Sequence, residues 1–145
     1  MNALFELRIA ETDDREAIFG LITELQESQV SRSDFDQIFG ANLESPDIYY
    51  FVATEKEAIV GFISVHIQKL LHHASGIAEI QEVIVTKDLQ GKGIGKLLFE
   101  KAKEIAVLRE CLQLEVCCNQ KRLDAHAFYE NRGMTNHHYK FCVTL

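Results

Sequence analysis

A stretch rich in lysine and glycine, residues 87–96, is the part of this 145-residue sequence best suited to hold an anion. An apolar run, Val83-Ile84-Val85, leads into it, and apolar residues at helical spacing follow it. Glycine permits positive φ angles and close backbone approach, while the N–H groups and dipole at a helix start attract phosphate. Lys92 and Lys96 add positive charge. The pattern predicts a phosphate-binding loop, with an ordinary tight turn as the alternative.

Two familiar phosphate loops do not fit this stretch. A Walker A loop requires Ser or Thr after its lysine, and here Lys96 is followed by Leu97. A dinucleotide fingerprint has the spacing G-x-G-x-x-G near a first strand. The glycines here, Gly91, Gly93 and Gly95, have the spacing G-x-G-x-G and lie late in the chain. Both classes are disfavoured.

The elements that position the loop follow from apolar periodicity and turn signals. From the N-terminus we expect a strand at 5–9, a helix capped by Thr12, a short helix capped by Ser33, strands at 48–54 and 58–68 joined as a hairpin, a strand at 77–86, a helix containing Leu97 to Ala106, a strand at 112–116, a helix at 123–131 and a closing strand at 137–145. Strands mixed with helices around a central hairpin predict an α/β protein with a partly antiparallel sheet.

Composition narrows the class further. The length and the 47% hydrophobic content predict one domain, 1–145, with a substantial core. The net charge of −7 disfavours nucleic acid as a partner, and we find neither an apolar run long enough for a membrane span nor a secretory signal. Four cysteines in such a chain are expected to be reduced thiols, which predicts a cytoplasmic location.

The loop signature then points to a family. Gln90-Gly91-Lys92-Gly93-Ile94-Gly95 matches the [RQ]-x-x-G-x-[GA] signature of the GCN5-related N-acetyltransferases (GNAT), and the element order along the chain resembles that family too. The resemblance implies a single-domain α+β fold: a mixed central sheet, flanked by helices, that splays between its fourth and fifth strands. It also implies acetyl-CoA as cosubstrate. The residues it assigns to the cofactor are Val83, Ile84, Val85, Gln90, Gly91, Lys92, Gly93, Ile94, Gly95, Lys96 and Asn119.

Acetyl transfer to an amine needs a base, because an alkyl ammonium of pKa ~10 leaves only about one part in a thousand uncharged near pH 7. By resemblance we expect Glu79 to be the base, with Glu82 second. Strand alternation puts the two on opposite faces unless a bulge intervenes. Tyr129 matches the family tyrosine that protonates the leaving thiolate. The alternative for either glutamate is a solvated or ion-paired carboxylate with no catalytic role, and the alternative for Tyr129 is an ordinary half-buried aromatic residue.

The acceptor is less constrained. A narrower resemblance, to members of the family that acetylate aminoalkylphosphonates, runs nearly end to end and is carried by 35–50, 67–73, 79–85 and 119–129. It implies a small aminoalkylphosphonate as the acceptor. Another small amine, a polyamine or a protein lysine is the alternative, and a non-catalytic acyl-CoA-binding module is the alternative of another class. Candidate residues for the acceptor are His72, His73, Arg122, His126 and His138. A divalent metal among the histidines is conceivable but has no diagnostic spacing. The family also implies a homodimer, to which the closing strand could contribute.

Overall fold

The computed structural model describes residues 4–26 and 29–145, which group into two compact units, Met1–Glu115 and Val116–Leu145. The helices and strands, in chain order, are β1 (Glu6–Ile9), α1 (Arg15–Leu25, after a 3₁₀ turn at Thr12–Asp14), α2 (Arg32–Leu43), β2 (Ile48–Glu55), β3 (Ala58–Leu70), β4 (Ser75–Val85), a 3₁₀ turn at Lys87–Leu89, α3 (Ile94–Leu108), β5 (Gln113–Val116) and α4 (Leu123–Glu130).

The strands form one mixed sheet in the order β1-β2-β3-β4-β5. The first four strands are antiparallel to their neighbours, and β5 runs parallel to β4. The predicted fold class is therefore confirmed. At the start of β5 the Leu112 N–H donates to the Gly76 carbonyl, 2.8 Å away. Because β5 has four residues and β4 has eleven, β4 continues past the end of β5, at the place where the splay is expected.

Helices cover both faces of the sheet in the first unit. On one face, buried residues of α1 and α2 such as Ile18 and Phe39 form a core cluster with Tyr50, Phe62 and Ile84 of the sheet. Fully burying each such side chain contributes about 1.5–3 kcal/mol. On the other face α3 packs closely on β3 at Gly61. A Cβ at this position would lie only 3.1 Å from the Ile94 side chain, so the absence of a side chain allows the close approach.

A β-bulge in β4 decides which way the two strand carboxylates point. Val65 pairs with Ile80 and Ser64 pairs with Glu82, so Gln81 is the extra residue. His66 pairs with Glu79. Paired residues share a face and residues two apart on a strand share a face, so Glu79 and Glu82 lie on the same face, the one covered by α1 and α2. Strand alternation alone would put these two residues on opposite faces, and the bulge is what brings them to the same one.

Two helix caps differ from the sequence prediction. Ser31, and not Ser33, caps α2, because its hydroxyl accepts the Asp34 N–H and α2 begins at Arg32. Thr12 does not cap α1 but begins the short 3₁₀ turn before it. The start of α1 is instead fixed by Asp14, whose carboxylate accepts the Glu11 N–H (2.8 Å) and pairs with Arg8 (2.7 Å).

The predicted closing strand at 137–145 is wrong, because residues 137–145 form no strand. A strand requires a neighbouring edge that accepts and donates its backbone hydrogen bonds. The alternating apolar side chains remain, with Tyr139, Phe141 and Val143 exposed at 80%, 92% and 82%.

Candidate active site

The glycine-rich loop has the backbone geometry of an anion cradle. After β4 the chain makes the 3₁₀ turn, then passes through Gly91 at φ +82° and Gly93 at φ +92°, and Gly93 caps α3. A side chain at either glycine would meet nothing within 4 Å. Glycine is therefore required here by the left-handed backbone and not by crowding, and the space beside the loop is open.

Donors and positive charge converge at the start of α3. The Leu97 N–H is bonded to the Gly93 carbonyl, 3.1 Å away. The N–H groups of the preceding first turn, from Ile94 to Lys96, lack acceptors within the helix, as at every helix start. The side chains of Lys92 and Lys96 are exposed beside them. Together with the helix dipole, this arrangement suits a phosphate or diphosphate.

Gln90 closes the loop onto the strand before it. Its side-chain amide donates to the Val85 carbonyl, 3.2 Å away, and the Thr86 N–H donates to the Val60 carbonyl, 2.9 Å away. These two bonds hold the end of β4 and the glycine loop in one geometry.

Glu82 faces a cavity of about 290 Å³ between the sheet and the first two helices. The Glu82 carboxylate accepts a hydrogen bond from the Ser64 hydroxyl, and the Glu82 backbone N–H donates to the oxygen of that hydroxyl, 3.0 Å away. The cavity is mainly apolar with two carboxylates, and its lining residues are Ile18, Ile22, Val30, Ser31, Asp34, Phe35, Ile38, Phe39, Tyr50, Phe62 and Glu82. Such a lining suits a cationic head on a short apolar body.

Tyr50 forms the polar back of this cavity. Its hydroxyl accepts a hydrogen bond from the Asn42 side-chain amide, 2.7 Å away. Burial raises the pKa of Tyr50, and the nearby Glu82 charge adds to that effect while the Asn42 bond opposes it. The phenol therefore stays protonated across the neutral range.

Glu79, the first candidate base, is on the same sheet face but is not among the cavity-lining residues. Its carboxylate accepts a hydrogen bond from the Gln81 side chain, 2.9 Å away. Gln81 is the bulge residue, so the residue that puts Glu79 and Glu82 on one face also supplies Glu79 with a donor.

Tyr129 lies in the second unit on α4, half-buried and in edge contact with Phe128 at 5.3 Å between ring centroids. Burial raises the pKa of Tyr129; Cys118 adds to this, whereas Arg122 opposes it. A phenol that keeps its proton at neutral pH suits a proton donor.

Asn119 organises the segment before α4. Its side-chain oxygen accepts the Lys121 N–H (2.9 Å), and its backbone carbonyl accepts the Arg122 N–H (3.1 Å) and contacts the His126 ring nitrogen (2.8 Å). His126 thus has an internal partner, whereas Arg122 and His138 are exposed.

His72 and His73 lie in the turn between β3 and β4, with ring centroids 4.2 Å apart. At about 3.3 Å per residue, this end of β4 is roughly 23 Å along the strand from Glu82. The structure therefore does not bring this pair to the cavity. The histidine on the carboxylate face is His66, paired with Glu79, which the sequence did not single out.

Of the polar residues that line the cavity, sequence reasoning identified only Glu82. It missed three others, Ser31, Asp34 and Tyr50. They come from α2, its cap and β2, and only packing assembles them. Ser64 did carry a signal, since it is a lone hydroxyl in the apolar run from Gly61 to Val65.

Two further properties follow from the described residues, 4–26 and 29–145. They contain no group of three or more His, Cys, Asp or Glu side chains arranged to hold a metal ion. No helix in the same part of the chain is long and apolar enough to cross a membrane.

The family model described as "Acetyltransferase (GNAT) family" matches residues 13–134. The chain therefore belongs to the GNAT acetyltransferase family and is an N-acetyltransferase that uses acetyl-CoA as cosubstrate.

Particular relatives extend this assignment. The chain is 39% identical to the aminoalkylphosphonate N-acetyltransferase of Salmonella typhimurium over 140 residues, covering 97% of this chain and 91% of that one. It is 28% identical to the glucosamine 6-phosphate N-acetyltransferase of Candida albicans, covering 72% and 70%. Among solved structures, an aminoglycoside N-acetyltransferase in complex with CoA superposes with a TM-score of 0.88 at 12% identity, covering 100% and 97%, and this shows the shared fold.

Proposed function

We propose that this protein transfers the acetyl group of acetyl-CoA to the amine of a small aminoalkylphosphonate. The observation that carries the proposal is the 39% identity, over nearly the whole chain, to an enzyme named for that acceptor. A second relative is named for glucosamine 6-phosphate, which likewise carries both an amine and a phosphoryl group.

The cofactor residues fit a coenzyme A diphosphate. The left-handed glycines Gly91 and Gly93 leave open space at the backbone, and the first-turn N–H groups of α3 supply donors. Lys92 and Lys96 supply charge. The part of β4 that extends past β5, Val83 to Val85, would pair with the extended arm, and the Asn119 side chain would contact it. Acetyl-CoA supplies an activated thioester at this edge of the sheet.

We assign Glu82 as the base, with Glu79 as the alternative. Glu82 faces the cavity, and the Ser64 hydroxyl orients its carboxylate. Through a water molecule it would take the proton of the ammonium group, and the neutral nitrogen would then bond to the acetyl carbon as the carbon–sulfur bond breaks. The Val83 N–H would donate to the thioester oxygen as it becomes negative.

Tyr129 would give its phenolic proton to the departing sulfur. Its raised pKa keeps that proton available at neutral pH. Proton and electron counts then balance. The nitrogen loses one proton to Glu82 before it attacks and a second to solvent as the amide forms, and Glu82 passes its own proton on to solvent. The thiolate gains one proton from Tyr129, which solvent reprotonates, so one proton is released overall.

The phosphonate requires cationic donors that the cavity lining does not include. Arg122 is the leading candidate, since a guanidinium binds such a group with two hydrogen bonds, and His72, His73, His126 and His138 remain weaker candidates. The apolar cavity with Asp34 and Glu82 would hold the alkyl ammonium end of the acceptor. This acidic lining also favours the second candidate function, acetylation of another small cationic amine.

A thiol-release assay over matched acceptors tests the proposal. The panel is 2-aminoethylphosphonate, the equivalent amino carboxylate, the equivalent uncharged alkylamine, spermidine and a lysine peptide, each with and without chelator. We expect the phosphonate to have the highest kcat/KM. A higher value for spermidine or the alkylamine would transfer the function to the second candidate, and no thiol release with any amine would contradict both.

We also propose a homodimer in the cytoplasm. The alternating exposed side chains of 139–145 need a covering surface, and a second copy of the chain would provide one. The four cysteines are thiols, which fits a reducing compartment. Light scattering would show a mass of two chains, and a monomer would contradict the assembly.

A further inference from the structure

Ser64 is a fully buried hydroxyl in the centre of β3, with 0% of its surface exposed. Burying a hydroxyl is unfavourable unless it is hydrogen-bonded. Its two bonds go to one residue, since it donates to the Glu82 carboxylate and accepts the Glu82 N–H at 3.0 Å. One hydroxyl therefore fixes both the backbone and the side chain of Glu82.

The position of Ser64 is tied to the bulge. The register between β3 and β4 shifts between Ser64 and Val65, opposite the extra residue Gln81. A bulge disrupts the local ladder of backbone hydrogen bonds. The Ser64 hydroxyl gives the Glu82 N–H a partner at this point and so holds the carboxylate towards the cavity.

We propose that Ser64 is a positioning residue for acetyl transfer, whose hydroxyl keeps the Glu82 carboxylate directed at the acceptor amine. The inference rests on the proposed role of Glu82 as the base. It goes beyond that role because it assigns the orientation of the base to a residue that touches neither substrate.

Other titratable groups share the cavity lining or the sheet face with this carboxylate. They are Tyr50 on β2, His66 on β3, Glu79 on the same strand and Asp34 on α2. None of them changes in a Ser64 variant, so a change in kcat reports the lost hydroxyl. Thr54, a second buried hydroxyl of the same sheet that pairs with Ile59, provides a matched control.

The experiment measures kcat and KM separately for wild type, Ser64→Ala, Ser64→Cys and Thr54→Val with the best acceptor of the amine panel. Without the hydroxyl the Glu82 carboxylate is no longer held towards the cavity, so Ser64→Ala should lower kcat about tenfold. The KM for acetyl-CoA should stay unchanged, and Thr54→Val should leave kcat at the wild-type value. If Ser64→Ala fails to fold, Ser64→Cys, whose thiol is a weak donor, should lower kcat in the same way.

A lower melting temperature with a wild-type kcat would overturn the proposal, because it would leave Ser64 with a structural role only. Glu82→Gln and the double variant complete the test: if Ser64 acts through Glu82, adding Ser64→Ala to Glu82→Gln should lower kcat less than twofold. A full additional loss would also overturn the proposal. A wild-type kcat for Glu82→Gln would instead refute the base assignment, and inactivity of the wild type on every amine would refute the proposed function.

Discussion

Replacing Gly93 with alanine isolates the backbone requirement of the proposed diphosphate cradle. Gly93 has φ +92° and caps α3, and an added Cβ would meet nothing within 4 Å. The substitution therefore introduces no clash. Its entire effect comes from the cost of a left-handed conformation for a residue with a side chain.

That cost is roughly 1–2 kcal/mol. It appears as lower stability if the free protein keeps the observed loop, and as weaker CoA binding if the loop relaxes first. In the second case the dissociation constant for CoA rises about 5- to 30-fold. The loss of unfolding free energy and the loss of CoA-binding free energy should therefore add up to this cost, because both come from the same strained backbone conformation at residue 93.

The assay combines titration calorimetry of CoA binding with urea unfolding of the free protein. Gly20→Ala is the matched control, since Gly20 lies within α1 and a Cβ there also meets nothing within 4 Å. Alanine at a helical position should raise stability by up to about 1 kcal/mol. Wild-type CoA affinity together with wild-type stability for Gly93→Ala would refute the reasoning.

Three further predictions concern proton transfer and the start of α1. Tyr129→Phe should lower kcat at least about tenfold without changing CoA affinity in calorimetry, and a wild-type kcat would remove Tyr129 as the acid. Glu79→Gln should retain more of the wild-type kcat/KM at the pH optimum than Glu82→Gln, and the reverse order would make Glu79 the base. The Arg8 hydrogen bond lowers the pKa of Asp14. The ion pair therefore stabilises the fold fully above about pH 4, the ordinary pKa of an aspartate, and this stabilisation is lost as the pH falls through the lowered pKa of Asp14 in the folded protein. Asp14→Asn should cost about 1–2 kcal/mol of unfolding free energy at pH 7, and this difference in urea titrations should shrink below about pH 4; a constant difference would contradict the ion pair.

Local signals predicted much of the architecture. The hairpin at Glu55-Lys56-Glu57 is present, with Lys56 and Glu57 at positive φ, and the helix after the glycine loop begins at Ile94. Gly133, just beyond α4, has φ +85°, which suits a glycine after the end of a helix. These features depend on neighbouring residues alone, so they can be inferred from the chain in one dimension.

The closing strand shows where such inference stops. Residues 137–145 have the alternation of a strand, but a strand exists only when another edge pairs with it. The same holds for His72 and His73, whose residue types suit an anion but whose turn lies at the far end of β4 from Glu82. Residue type says what a side chain can bind, and only the fold says what it is near.

By itself, the sequence determined the family and the order of elements from β1 to α4, because each of these is encoded in contiguous residues. Tertiary structure decided which carboxylate faces the cavity. A single extra residue, Gln81, puts Glu79 and Glu82 on one face, and the partner that orients Glu82 is Ser64, 18 residues away in the chain. A bulge depends on the register between two strands, and register is set by how the whole sheet packs its faces.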